Sequence, residues 1–190
     1  MPRDLGDFQT PPELARLIVQ SLAPVGVRWS RVLEPTCGTG AFLQALLECA
    51  SPPRELIGIE IQQSHLALAE SLSHQAGATQ VSLLCASLFD VDLRCGLPWR
   101  GGGPLLVIGN PPWITAAALG KLGSTNQPSR RNLKELPGIQ ARTGSSNFDI
   151  AEAVWIKLLE ELAAWEPTIA LLCKTSVARG VLEFAARKEL

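Results

Sequence analysis

"RVLEPTCGTGAFLQALLECA", residues 31 to 50, starts as a strand, halts at a proline, turns on glycines and resumes with helical periodicity. The β run "RVLE" has to stop at Pro35, because proline gives no N–H to a sheet ladder. Gly38 and Gly40 let the backbone turn tightly and come close to a ligand with no Cβ in the way. "AFLQALLECA" then spaces its apolar residues as a helix does. A glycine turn joining a strand to a helix is the setting in which such a motif binds a ligand. The spacing is not GxGxxG, and the turn has no Lys to serve as a phosphate loop.

The rest of the chain repeats this alternation. "TPPELARLIVQSL" begins with Thr10, two prolines and Glu13, which predicts a capping box on an amphipathic helix. "ELIGIEI", "VSLLCAS", "PLLVIGN" and "TIALLCK" read as further strands. "SHLALAESLSHQA", "FDIAEAVWIKLLEELAAW" and "SVARGVLEFAARKEL" read as helices, the first ending near Gly77. Residues 116 to 146 are polar and too long for an ordinary connection, so they read as a functional or disordered loop. There are no internal repeats and no linker. The expectation is one domain over 1–190: a Rossmann-like, doubly wound α/β fold with a mainly parallel sheet and helices on both faces.

Composition narrows the function classes. With 46% hydrophobic and 18% charged residues the chain reads as globular. It has no apolar run long enough to span a bilayer, and "MPRDLGDFQT" lacks the apolar segment of a signal peptide. The five cysteines, 37, 49, 85, 95 and 173, show no CxxC or His-paired spacing. They read as reduced thiols of a cytoplasmic protein, with no metal site and no disulfide framework. A net charge of -1 argues against an all-over basic surface, so any nucleic-acid contact is local or lies elsewhere. His65 and His74 read as solvated, and Trp155 and Trp165 as core or rim residues. "RRNLK", residues 130 to 134, fits phosphate gripping and plain solvation equally well.

Two acids give the glycine turn its chemistry. Glu34 ends the strand just before the turn, where its charge would repel a phosphate and attract an ammonium. Glu60 ends the next strand in "GIEI", at the separation where an acid accepts both ribose hydroxyls. A ligand with a ribose, an amino-acid ammonium and no phosphate is S-adenosylmethionine. The blander reading is a tight βα turn flanked by two solvated acids.

"LEPTCGTGAFL", "GIEI" and "NPPW", in this order, resemble the class I S-adenosylmethionine-dependent methyltransferases. More narrowly they resemble the adenine-N6 DNA methyltransferases of restriction–modification systems. "GDFQTPPELARLI" resembles the block that precedes the glycine motif in that group, and the segments around "SNFDIAEAVW" and "TSVARG" resemble its later blocks. By position, the resemblance implies that Thr10 meets the methionine end of the cofactor. Glu34, Thr36, Cys37, Gly38 and Gly40 would surround its amino-acid part, and Glu60 with Ile61 would hold ribose and adenine. Where the family commonly has an Asp for the adenine amino group, this chain has Ser87, followed by Leu88. No Pro-Cys nucleophile motif is evident, which disfavours a covalent cytosine mechanism.

"NPPW", residues 110 to 113, supplies what amino methylation of adenine would need. The exocyclic amino group is a poor nucleophile because its lone pair is delocalised into the ring. Acceptors from Asn110 Oδ1 and the Pro111 carbonyl would free that lone pair, with Pro111 and Pro112 keeping both rigid. Trp113 offers a flat face for a base flipped out of DNA, worth roughly 1–3 kcal/mol. Taken by itself, the stretch also reads as a turn with a packing Trp. Two other functions stay open: a protein-glutamine or RNA guanine amino methyltransferase, and a cofactor-binding fragment or subunit inactive without a partner. The fragment reading expects a target-recognition domain or specificity subunit in addition to these residues.

Overall fold

The computed structural model describes residues 8–22, 27–115 and 149–189. The polar stretch 116–146 and its "RRNLK" cluster lie outside the described residues. In chain order the elements are α1 (Pro12–Leu22), β1 (Arg31–Glu34), α2 (Ala41–Leu47), β2 (Glu55–Glu60), α3 (Gln63–Ala69), α4 (Ser71–Gln75) and β3 (Gln80–Cys85). They continue with β4 (Leu105–Gly109), α5 (Ile150–Leu162), β5 (Thr168–Leu171) and α6 (Thr175–Lys188), plus 3₁₀ turns at Leu88–Asp90 and Ala163–Trp165. The chain divides into two compact units: Gln9–Asn110 with Trp165–Leu171, and Met1–Phe8 with Pro111–Ala164 and Leu172–Leu190.

The first unit holds the sheet, ordered β3-β2-β1-β4-β5, with every neighbouring pair parallel. The chain builds outward from β1 to β3 and then crosses back to lay β4 on the other side of β1. That reversal opens a crevice at the carboxyl ends of β1 and β4, where sheets of this kind take ligands. The three central strands are apolar between their end residues, as parallel strands covered on both faces must be. Val32, Leu33, Leu56, Ile59, Leu106, Val107 and Ile108 are fully buried, each contributing roughly 1.5–3 kcal/mol.

Several local details depart from the sequence expectations. The first helix starts at Pro12, and the Pro11 carbonyl takes its first N–H, from Ala15 at 3.1 Å. Pro11 is therefore the capping residue rather than Thr10, with Pro12 in the first-turn place that suits a residue lacking an N–H. The helix expected over 64–76 is split in two at Glu70. At the break the Ser71 hydroxyl donates to the Leu68 carbonyl (3.2 Å), a back-bond that competes with the ladder and bends a helix. His65 is half-buried rather than solvated.

Gly58 shows how tightly β2, β3, α2 and the glycine turn fit together. A Cβ there would lie 2.8 Å from Cys37 Sγ, 2.9 Å from Leu43 Cδ1 and 3.0 Å from Leu83 Cδ2. Gly58→Val should thus overpack the sheet by about 1–3 kcal/mol. The urea midpoint should fall at unchanged m-value, and an unchanged midpoint would contradict this packing.

At the amino end of β1, the Arg31 guanidinium lies over the rings of Trp99 (5.5 Å) and Trp165 (4.9 Å) and donates to the Gly103 carbonyl. Glu55 accepts the Arg100 and Gly101 N–H groups there, both at 2.7 Å. In the second unit, Ala151 on α5 packs with Val177 and Val181 on α6, and Trp155 lies against them. Asp149 caps α5 through the Ala151 N–H (3.0 Å) and accepts from Lys174 Nζ (2.9 Å). Among the described residues no helix is long and apolar enough to cross a membrane.

Candidate active site

The glycine turn lies at the carboxyl end of β1 and is held from β2. Cys37 N–H donates to the Ile59 carbonyl (2.8 Å), and Gly38 N–H donates to Glu60 Oε2 (2.9 Å). Glu60 Oε1 accepts the Gln62 N–H at 2.8 Å. Glu60 is thus buried with each oxygen held by a backbone donor, and a carboxylate oxygen has lone pairs for more than one. Gly38 and Gly40 adopt φ of +52° and +85°, the left-handed region that L side chains avoid.

Gln9 also reaches this turn, and sequence reading did not single it out. Its Oε1 accepts from both the N–H (3.0 Å) and the hydroxyl (3.1 Å) of Thr39. The carboxamide fills the space a Cβ on Gly38 would occupy. The signal was nearby, since Gln9 immediately precedes Thr10 in "GDFQTPPELARLI". Nothing local in the sequence says that residue 9 meets residue 39.

Glu34 differs from the sequence picture in its state. It is buried, reached by the Leu43 N–H, and its Oε2 has no partner. Burial is the main cause, with the nearby Glu60 carboxylate adding to it, that holds its carboxyl well above the ordinary range; the Leu43 N–H partly offsets them. The native protein therefore keeps a proton that the unfolded chain has released. Stability should fall as pH rises from the ordinary carboxylate range toward the folded value, by at most about 1.4 kcal/mol per pH unit. Glu34→Gln should flatten that slope, as read from urea midpoints across pH. Identical slopes in the two proteins would contradict it.

Burial first, then Glu34 and Glu60, also push the Cys37 thiol far up, so it supplies no thiolate nucleophile. Thr36 Oγ1 is buried without a partner beside these groups in sequence. Ile61, just past β2, is 43% exposed, enough to offer an apolar face. Ser87 follows the end of β3, where its hydroxyl accepts the Phe89 N–H (3.2 Å) and caps the short 3₁₀ turn over a buried Leu88.

Across the crevice, β4 pairs with β1 so that Val107 faces Leu33. Gly109, the last residue of β4, packs on Pro35 and Glu34: a Cβ on it would lie 3.6 and 3.7 Å from them. Asn110 follows. Its Nδ2 donates to Thr10 Oγ1 at 3.4 Å, and its Oδ1 is buried without a partner. The structure thus brings Thr10 to Asn110, and Glu34, Cys37, Gly38 and Glu60 to one another. Pro111, Pro112 and Trp113 belong to the second unit, where Trp113 is 45% exposed.

These residues fit the cofactor's chemistry. Two buried acids, and unpartnered oxygens on Glu34 and Thr36, suit an ammonium and hydroxyl groups.

No protein-family model matches the chain. It is 34% identical over 187 residues, 98% of its length, to the type II methyltransferase M.NspV of Nostoc. It is 31% identical over 146 residues, 76% of its length, to the type II methyltransferase M.TthHB8I of Thermus thermophilus. It spans 39% of the first relative's length and 28% of the second's. Among solved structures it is similar to one described as a class I S-adenosylmethionine-dependent methyltransferase from Listeria monocytogenes. That match has a TM-score of 0.58 at 15% identity and covers 96% of this chain and 53% of the other. The architecture is therefore the Rossmann-like methyltransferase fold, in a chain similar along nearly all its length to part of a type II methyltransferase.

Proposed function

We propose that the chain is the catalytic domain of an S-adenosylmethionine-dependent DNA methyltransferase acting on the exocyclic amino group of adenine. The observation that carries this reading is Asn110: an unpartnered buried carbonyl at the end of β4, beside the glycine turn and followed directly by Pro-Pro-Trp. The similarity to two type II methyltransferases supports the same reading.

Glu60 and Ile61 hold the ribose and adenine of the cofactor, with Ser87 and Leu88 at the adenine end. Glu34, Thr36, Cys37, Gly38 and Gly40 surround its amino-acid part. An ammonium beside Glu34 favours the ionised carboxylate, which opposes the upward push of burial. When bound, S-adenosylmethionine supplies an electrophilic methyl group on a sulfonium that is already activated. Asn110 Oδ1 and the Pro111 carbonyl accept the two amino hydrogens of adenine and turn its lone pair toward the incoming carbon. Pro111 and Pro112 have no N–H to compete for those acceptors, and Trp113 stacks the flipped base. A target-recognition domain or specificity subunit supplies the DNA sequence preference, because a net charge of -1 gives little general attraction for phosphates.

The test is methyl transfer from labelled cofactor to duplex DNA, RNA and a glutamine-containing peptide, with and without the complementary region of a type II relative. Label recovered as N6-methyladenine is the expected result. Label confined to RNA or peptide would replace DNA as the substrate.

A further inference from the structure

Thr10 and Asn110 lie 100 residues apart in sequence, yet their side chains meet. Asn110 can present either end of its carboxamide, and only the oxygen end can accept from a substrate amino group. With Nδ2 engaged by the Thr10 hydroxyl, the unpartnered Oδ1 is the end left for a substrate. From this contact we infer that Thr10 is a positioning residue, whose hydroxyl fixes the Asn110 carboxamide with its oxygen toward the substrate. The inference rests on the catalytic reading of Asn110 and adds a role that a plain cofactor contact at Thr10 would not have.

Thr10 is itself placed by its neighbour. Gln9 is fastened to Thr39 by two hydrogen bonds, so residues 9 and 10 bridge the glycine turn of β1 and the end of β4. While accepting from Asn110, the Thr10 hydroxyl still has a hydrogen to donate. The contact at 3.4 Å is long for a hydrogen bond. It therefore needs the Gln9 anchor to persist, and Gln9→Ala should loosen Asn110 without touching it.

The 190-residue chain labelled with ¹⁵N provides a readout independent of any substrate. The Asn110 side-chain amide signal, assigned by its loss in Asn110→Ala, should exchange faster with solvent in Thr10→Val and Gln9→Ala. It should return to the wild-type rate in Thr10→Ser, which keeps the hydroxyl. In the methyl-transfer assay Thr10→Val should lower kcat roughly 10- to 100-fold, as expected for a misaligned acceptor. Its affinity for S-adenosylhomocysteine should fall by much less than kcat, and Thr10→Ser should restore turnover. Should Thr10→Val fold poorly, Thr10→Ala serves the same comparison. An Asn110 signal unmoved by loss of the hydroxyl, or a defect lying wholly in cofactor affinity, would overturn the inference. If the signal responds as expected but no adenine is methylated, the positioning stands and the substrate reading fails.

Discussion

Asn110→Ala should reduce methyl transfer to adenine by about 100- to 1000-fold, the scale for removing one preorganised polar group from a reacting centre. Cofactor affinity should be unchanged, because the glycine turn and Glu60 are held by β1 and β2 and not by Asn110. The loss should therefore appear in kcat and kcat/KM together, as expected for an interaction made chiefly in the transition state. In the resting protein Asn110 Oδ1 is buried without a partner, a cost of about 1–3 kcal/mol that the fold accepts. Removing it offsets the loss of the long Nδ2–Thr10 bond, so the variant should be about as stable as the wild type. Lower activity at unchanged stability separates a functional acceptor from a packing residue. Retained turnover would remove Asn110 from the chemistry, and a large fall in melting temperature would recast it as structural.

The parts of this site that were legible in the sequence are those with a local signature. The glycine turn follows from Pro35, Gly38 and Gly40 within six residues, and the strand–helix alternation from apolar period. Glu34 and Glu60 could be placed because each ends its strand. What stayed hidden depends on residues far apart in the chain. Gln9 meets Thr39, and Thr10 meets Asn110, through side-chain hydrogen bonds that leave no periodicity. Thr10 looked like a helix cap because its spacing to Glu13 fits one. The helix instead starts at Pro12, and the hydroxyl meets Asn110 just past β4. Gly58 resembled any small strand residue, and only the sheet register brings Cys37, Leu43 and Leu83 onto it. Glu34 could be placed but its charge could not, since that depends on burial and on the distance to Glu60.

Replacing Glu60 should have the largest effect on the cofactor site. Its carboxylate accepts from Gly38 N–H and Gln62 N–H while buried, so Glu60→Ala strips two backbone donors of their partner. Hydrogen bonds to a charged group contribute roughly 1.5–3 kcal/mol each. For a chain of this size the melting temperature should drop by roughly 2–4 °C for each kcal/mol lost. With Gly38 released, the turn no longer keeps its shape, and the acceptor for the ribose hydroxyls has gone too. Affinity for S-adenosylmethionine should fall by at least about 100-fold, or about 2.7 kcal/mol. Glu60→Gln is the more telling variant because it keeps the volume and removes the cavity argument. A carboxamide has one accepting end, whereas the site presents two N–H donors on opposite oxygens. Its NH₂ must therefore face an N–H, and Gln cannot replace Glu even though it fits. The variant should fold, lose most cofactor affinity, and show little of the thermal shift that a native-state ligand gives. Calorimetric titration of the folded Glu60→Gln chain decides the matter: wild-type affinity there would mean that the cofactor is held elsewhere.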